Sequence, residues 1–212
     1  MSDTTLPLRY PAEFPRAVEQ PSVSVRGVLL AAGTSNRYGE SNKLLQTLEG
    51  KPLVRHAAET LHRSVLDGVT IVVGCEADSV RAALGDLPVA VRVNDDYTAG
   101  QSTSVRIGIE DAASRDADAA LVALGDMPWV NFETINLLVE GYRRGVSDVL
   151  VAACEGTRGN PVLFDSRFFE ALTDVSGDVG GREIIFEADG AVAVETGDDG
   201  VLRDIDQPAD LP

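Results

Sequence analysis

Four short polar clusters in this chain hold residue types suited to phosphate and metal. The first is Ala31-Ala32-Gly33-Thr34-Ser35-Asn36-Arg37-Tyr38-Gly39, followed by Lys43. Its small residues let backbone N–H groups approach and wrap an anion. Arg37 adds a fork of donors for phosphate oxygens, and Lys43 a compact positive charge. The second cluster is Asn94, then Gly100-Gln101-Ser102-Thr103-Ser104. The third is Gly125-Asp126-Met127-Pro128, in which Asp126 directly follows an apolar run. A carboxylate so placed can hold Mg2+, a hard cation that favours oxygen ligands and substrate phosphates. The alternative duty for Asp126 is a turn or cap before Pro128. The fourth cluster is Asp204-Ile205-Asp206, where Asp206 offers a second carboxylate and Asp204 and Asp210 compete with it.

Each cluster follows a stretch that reads as a strand. Val25–Ala32 is a continuous apolar run beside glycine, the pattern of a buried parallel strand. Val69–Val73, Val89–Val93, Ala119–Leu124 and Val149–Ala153 are expected strands, with late ones at Ala191–Val194 and Val201–Arg203. Helical spacing covers Leu53–Val65, Ser79–Leu84, Thr103–Ala113 and Phe132–Tyr142, with short helices at Ser166–Leu172 and Arg182–Ala188. Alternation of strand and helix predicts an α/β fold: three layers, α/β/α, around a mostly parallel sheet. Ligands of such sheets bind beyond the carboxyl ends of the strands, which would put all four clusters on one rim. Residues 1–22, with four prolines and little periodicity, are expected to form a flexible arm. Residues 23–212 show no composition break and read as one domain.

Composition narrows the partners. The 212 residues are 44% hydrophobic and 25% charged, with 18 basic against 34 acidic side chains and a net charge of −16. Such a surface repels nucleic acid and anionic lipid, so neither is an expected partner. Only Lys43 and Lys51 are lysines. An acid-rich, lysine-poor surface suits molar salt, where the Debye length is ~3 Å, and predicts a halophilic host. No apolar run reaches the ~18 residues of a membrane span, and no signal peptide is recognised; the expected location is cytoplasmic. Cys75 and Cys154 read as core thiols rather than a disulfide framework. His56 and His62, six residues apart, do not share a helical face and read as packing residues. Tyr38 and Trp129 are left open between stacking on a base and packing. The run 111–118 reads as a solvated helix end. The spacings Gly-x-Gly-x-x-Gly and Gly-x-x-x-x-Gly-Lys-Ser/Thr are both absent, which argues against a dinucleotide dehydrogenase and a phosphate-loop hydrolase.

Taken together, Leu30-Ala31-Ala32-Gly33-Thr34-Ser35-x-Arg37-x-Gly39 and Lys43-Leu44-Leu45 resemble the signature of the MobA-like nucleotidyltransferases. Within that group the chain is most similar to the molybdenum cofactor cytidylyltransferases, over roughly residues 26–211. Further matching pieces are Asn94…Gly100-Gln101-Ser102-x-Ser104, Leu124-Gly125-Asp126-Met127-Pro128, Gly159-Asn160-Pro161, Gly177-Asp178-x-Gly180-Gly181-Arg182 and Asp204-Ile205-Asp206. The resemblance implies a Rossmann-like nucleotidyltransferase fold and transfer of a nucleotidyl group from a nucleoside triphosphate. It implies Mg2+ held by Asp126, with Asp206 as second ligand. Nucleotide contacts are implied for Leu30, Ala31, Ala32, Gly33, Thr34, Ser35, Asn94, Gly100, Ser104 and Gly125. Arg37, Lys43 and Asp126 take the catalytic roles. Gly159, Asn160, Pro161, Gly180, Gly181 and Arg182 line the acceptor side. Ala31-Ala32-Gly33 leans towards CTP over GTP, and the implied acceptor is of the molybdopterin type, with a molybdoenzyme as onward partner. A guanylyltransferase for the same cofactor, a sugar-phosphate nucleotidyltransferase and a non-catalytic cofactor carrier are the alternatives. Three residues, Glu40-Ser41-Asn42, precede Lys43 where many relatives have two, and the arm before residue 23 is extra.

Overall fold

The computed structural model of the protein describes residues 6–16, 23–35, 38, 41–174 and 181–211. In chain order its strands are β1 (Leu8–Arg9), β2 (Val25–Ala31), β3 (Thr47–Leu48), β4 (Lys51–Pro52), β5 (Val69–Val73), β6 (Ala90–Val93), β7 (Ala119–Leu124), β8 (Val149–Cys154), β9 (Thr157–Asp165) and β10 (Val192–Glu195). The helices are α1 (Leu53–Arg63), α2 (Ala77–Leu84), α3 (Gln101–Ala113), α4 (Phe132–Arg143), α5 (Phe169–Asp174) and α6 (Arg182–Glu187). Eight strands form one sheet in the order β1-β10-β8-β9-β7-β2-β5-β6, and β3 and β4 pair separately. Every neighbouring pair in the large sheet is parallel except those made by β9, which runs antiparallel to β7 and β8.

Side-chain alternation divides the core into two. Val25, Leu29 and Ala31 of β2 pack with α1, α2 and α4 on one face, while Val28 and Leu30 pack with α3, α5 and α6 on the other. β5 is buried at all positions, as a strand covered on both faces must be. The three-layer expectation therefore holds. The chain runs outward from β2 through β5 to β6, then returns to place β7 on the opposite side of β2. The loops leaving β2 and β7 diverge there and open a crevice at the topological switch point.

Four sequence expectations are corrected. Val201–Arg203 is not a strand: Asp199–Leu202 forms a 3-10 turn, because β10 already pairs with β1 and β8 and has no free edge. Thr157–Asp165, read only as a site segment, is a nine-residue strand. It returns from β8 through Glu155 and Gly156, both at positive φ (50° and 74°), the backbone that a tight hairpin of matching twist demands. Asp111 is not solvated: its carboxylate is buried, receives Thr70 Oγ1 at 2.5 Å and pairs with Arg92 at 2.6 Å and Arg115 at 3.1 Å. Within the expected arm, residues 6–16 pack. Leu8–Arg9 adds a parallel edge strand to β10, and Phe14 is buried in the core beside Gly141. Residues 1–5 and 17–22 of that arm lie outside the described residues.

One close approach matters for the site. A Cβ built on Gly108 of α3 would lie 2.2 Å from Val28 Cγ1, so α3 rests on β2 with nothing between. That contact fixes the height of the helix whose first turn reaches the rim. Gly108→Ala should therefore destabilise the fold even though alanine favours helix by about 1 kcal/mol. Overpacking typically costs ~1–3 kcal/mol, and a lowered urea midpoint with an unchanged slope is the expected result.

Candidate active site

The crevice at the switch point is a cavity of about 590 Å3. Its wall combines the loop after β2 (Ala32, Gly33, Thr34, Ser35), Lys43 and Leu44, the approach to α3 (Tyr97, Thr98, Gly100, Gln101, Ser104) and the end of β7 (Leu124, Asp126). Residues as far apart in the chain as Ala32 and Asp126 thus meet because parallel strands deliver their ends to one rim. Gly33 has nothing within 4 Å of where a Cβ would stand. Packing does not require glycine there; the missing side chain leaves backbone open to the cavity, the provision an anion-wrapping loop needs.

Asn42 organises this loop. It is 5% exposed. Its Oδ1 accepts Leu44 N at 3.0 Å, capping the 3-10 turn Lys43–Leu45, and its Nδ2 donates to the Cys75 carbonyl at 3.3 Å, beyond the end of β5. Ser35, at φ 55°, accepts Lys43 N on its hydroxyl at 3.1 Å. Asn42 is thereby folded inward as a tie between loop and sheet.

Lys43 Nζ lies 2.7 Å from Asp126 Oδ2 and 2.8 Å from Asp206 Oδ1. Burial by itself would lower the lysine pKa, but the attraction of Asp126 and Asp206 outweighs it and the ammonium is held charged above its ordinary range. Burial pushes the Asp126 carboxyl up against the opposing pull of Lys43, and nearby Asp204 adds to the rise. Gly125 makes this placement feasible. Its amide donates to the Leu30 carbonyl at 2.9 Å, and a Cβ there would sit 3.1 Å from that same oxygen.

Carboxylate oxygens of Asp126, Asp204 and Asp206 all lie within 4.8 Å of one another. Asp126 Oδ1 is buried with no hydrogen-bond partner among the described residues. Such an orphaned buried oxygen is costly. An all-oxygen cluster with a spare buried acceptor fits a hard divalent cation, and the ammonium of Lys43 already stands among these carboxylates. Asp206 is not delivered by a strand as expected. It follows the 3-10 turn Asp199–Leu202, in a segment where Ile205 N donates to the Asp126 carbonyl at 3.0 Å. Asp210 is no competitor, because its carboxylate accepts the amides of Asp206 and Gln207 at 2.9 and 2.7 Å. Asp204 joins the cluster.

The other expected residues divide by role. Leu30, Ala32, Gly33, Thr34, Ser35, Gly100 and Ser104 line the cavity; Ala31, Asn94 and Gly125 stand behind it. Asn94 is buried, donates to Thr103 Oγ1 at 2.8 Å and Ser104 Oγ at 2.9 Å, and accepts Asp96 N at 3.0 Å; it orders the α3 approach. Gly159, Asn160 and Gly181 line a second cavity of about 410 Å3, walled mainly by Val105, Val151, Val162, Phe164 and Ile185. Pro161 faces away from it, towards Ala57 and Leu61 of α1. Arg37 and Gly180 lie outside the described residues, as does the side chain of Arg182. Tyr38 and Trp129 pack around Leu48, Leu53 and Ile205, with Arg203 stacked 4.2 Å from the indole, so packing is their role. His56 Nε2 meets the Leu48 carbonyl at 2.8 Å, a packing histidine as expected.

The sequence pattern of the MobA-like NTP transferase domain matches residues 27–192. The chain belongs to this family. Among similar proteins is the nicotine blue oxidoreductase of Paenarthrobacter nicotinovorans, 33% identical over 189 residues that cover 86% of this chain and 92% of that one. Another is the purine catabolism protein PucB of Bacillus subtilis strain 168, 34% identical over 191 residues, 86% and 91% of the two chains. The crystal structure of Rv0371c from Mycobacterium tuberculosis H37Rv shares the fold, with a TM-score of 0.76, 23% identity and coverage of 90% and 96%. A manganese complex of that protein also matches, at a TM-score of 0.70. No helix among the described residues of this MobA-like chain is long and apolar enough to cross a membrane.

The acidic cluster makes a direct prediction. Mn2+ or Mg2+ should raise the thermal midpoint, since a ligand at 100 times its Kd stabilises by ~2.7 kcal/mol. Asp126→Asn should abolish the metal-dependent part. An equal rise in wild type and variant would place any bound metal elsewhere.

Proposed function

We propose that this MobA-like protein transfers a CMP group from CTP to a phosphorylated acceptor of the molybdopterin type, in a cytoplasmic setting of high salt. The observation that supports this most is the meeting of the open Gly33 loop, Lys43 and the Asp126–Asp204–Asp206 carboxylates at one cavity beside a second, more apolar one. CTP rather than GTP is favoured by the Ala31-Ala32-Gly33 signature of the cytidylyl branch.

In this reading the triphosphate lies along residues 32–35, where backbone amides meet its oxygens. An oxygen of the acceptor phosphate attacks the α-phosphorus, a new P–O bond forms, and the bond to the β-phosphate oxygen breaks. Pyrophosphate leaves with the electron pair. Proton transfer is not needed, because the attacking phosphomonoester is already an anion. Lys43 neutralises charge near the α-phosphate, and Arg37 is assigned to the leaving phosphates. Asp126, with Asp206 and Asp204, would hold Mg2+, which supplies positive charge to phosphate oxygens when bound. The protein's share is positioning and pre-set charge. Gly159, Asn160 and Gly181, with Gly180 and Arg182, are assigned to the acceptor. The acceptor's onward partner would be a molybdoenzyme.

The name of one relative supports a second reading, an oxidoreductase activity; the missing Gly-x-Gly-x-x-Gly spacing argues against a dinucleotide cofactor for it. One assay separates the two. Pyrophosphate release is measured with each of four nucleoside triphosphates and molybdopterin, and CTP should give the fastest release. Lys43→Ala, Asp126→Ala and Arg37→Ala should each lower the rate ~10²–10³-fold, the usual loss for one pre-set charge contact. Reduction of nicotine blue without nucleotide cleavage would favour the second reading. Activity should also climb with KCl towards molar levels, as screening relieves repulsion between polyanionic substrates and an acidic surface; an optimum below ~0.2 M would remove the saline setting.

A further inference from the structure

The two cavities are neighbours that share three residues, Leu30, Gln101 and Leu124. Leu30 is the last but one residue of β2, on the α3 face of the core, and Leu124 ends β7 beside it, paired in register. Gln101 alone of the three is polar. It is the first residue of α3, exposed, and its carboxamide makes no hydrogen bond among the described residues. Ser35, Lys43, Ser104 and Asp126 of the same cavity all have protein partners already.

The geometry points to Gln101 as the residue that touches both substrates: we propose that its carboxamide donates across the threshold between the cavities, to an α-phosphate oxygen of the nucleotide and to the attacking acceptor phosphate. This rests on the transfer reading above. That reaction must bring two anions together, and their repulsion is greatest where the cavities meet. A carboxamide suits that place. It presents two N–H donors, so one neutral side chain can serve an oxygen from each side. Gln101 is held by the α3 backbone, whose close seat on β2 at Gly108 fixes where the amide can reach. In the step itself the acceptor oxygen bonds to the α-phosphorus and pyrophosphate departs with the electron pair. Gln101 exchanges no proton; it orients the two phosphates and offsets charge.

The test is Gln101→Ala and Gln101→Glu in the full chain, read in two ways. With CTP and molybdopterin as substrates, Gln101→Ala should lower kcat ~10²-fold, far more than it weakens CTP binding by calorimetry, while the thermal midpoint stays near wild type. Gln101→Glu, equal in size but anionic, should lower kcat further. A residue with only a structural role would shift the melting midpoint and CTP affinity together. The second reading needs no turnover: binding of a non-hydrolysable CTP analogue is titrated with and without phenyl phosphate as an acceptor probe. Wild type should show coupling between the two ligands, and Gln101→Ala should lose it. Turnover in wild type with Gln101→Ala within threefold would overturn the role of Gln101 and leave the transfer reading intact. Coupling lost in the variant, with no pyrophosphate released by wild type, would overturn the transfer reading and keep Gln101 as the bridge. Absence of both coupling and turnover in wild type would overturn both.

Discussion

The structure turns on a single ammonium among carboxylates. Two like charges 4 Å apart repel by about 4 kcal/mol at an effective dielectric of 20, and three acidic side chains meet at this rim in a chain of net charge −16. Lys43 is one of only two lysines, and it reaches Asp126 and Asp206 simultaneously. Positive charge there offsets the repulsion between the end of β7 and the segment after residue 203. Around this pair the rest follows: Asn42 fixes the turn that carries the lysine, and Gly125 lets β7 close on β2 so that the aspartate arrives at the same point. The positive charge at this rim is thus local, set within a chain whose overall charge is strongly negative.

Topology supplies the second constraint. A wholly parallel sheet would send the chain from β8 through another crossover; here β9 doubles back between β7 and β8. That insertion brings Gly159 and Asn160 to the α3 face, into the cavity that adjoins the one at the switch point. Two chambers sharing one leucine-lined border follow from this antiparallel strand. The second cavity is lined mainly by apolar side chains where the first is walled largely by loop backbone and small polar residues, so the same sheet offers two chemically unlike surfaces a few residues apart.

Much of this was legible in the sequence. The stretches at 25–31, 69–73 and 119–124 are apolar but for Arg26, Gly27 and Thr70, and they located both the central strands and the rim beyond them. Gly33, Lys43, Ser104 and Asp126 could be placed because each closely follows such a run or a helix start. β9 was missed because its first half, Thr157-Arg158-Gly159-Asn160, lacks alternation, although Glu155-Gly156 between apolar stretches was a hairpin signal. Val201–Arg203 looked like a strand because local apolarity says nothing about whether a sheet edge remains free. Asn42 was invisible for a related reason: a polar residue in a loop declares its burial only when the loop is folded. Asp111 was misread as solvent-facing because Arg92 on a different strand and Arg115 a turn away neutralise it, and neither pairing can be inferred from composition. Choosing between Asp204 and Asp210 needed the amides of Asp206 and Gln207.

The backbone latch from Ile205 to the Asp126 carbonyl has an outcome in the life of the chain. Most of the hydrophobic core lies in residues up to β10, whereas the cluster stays one-sided without the stretch that holds Asp204 and Asp206. A nascent or clipped molecule can thus be folded in its body and still lack two of its three acidic groups.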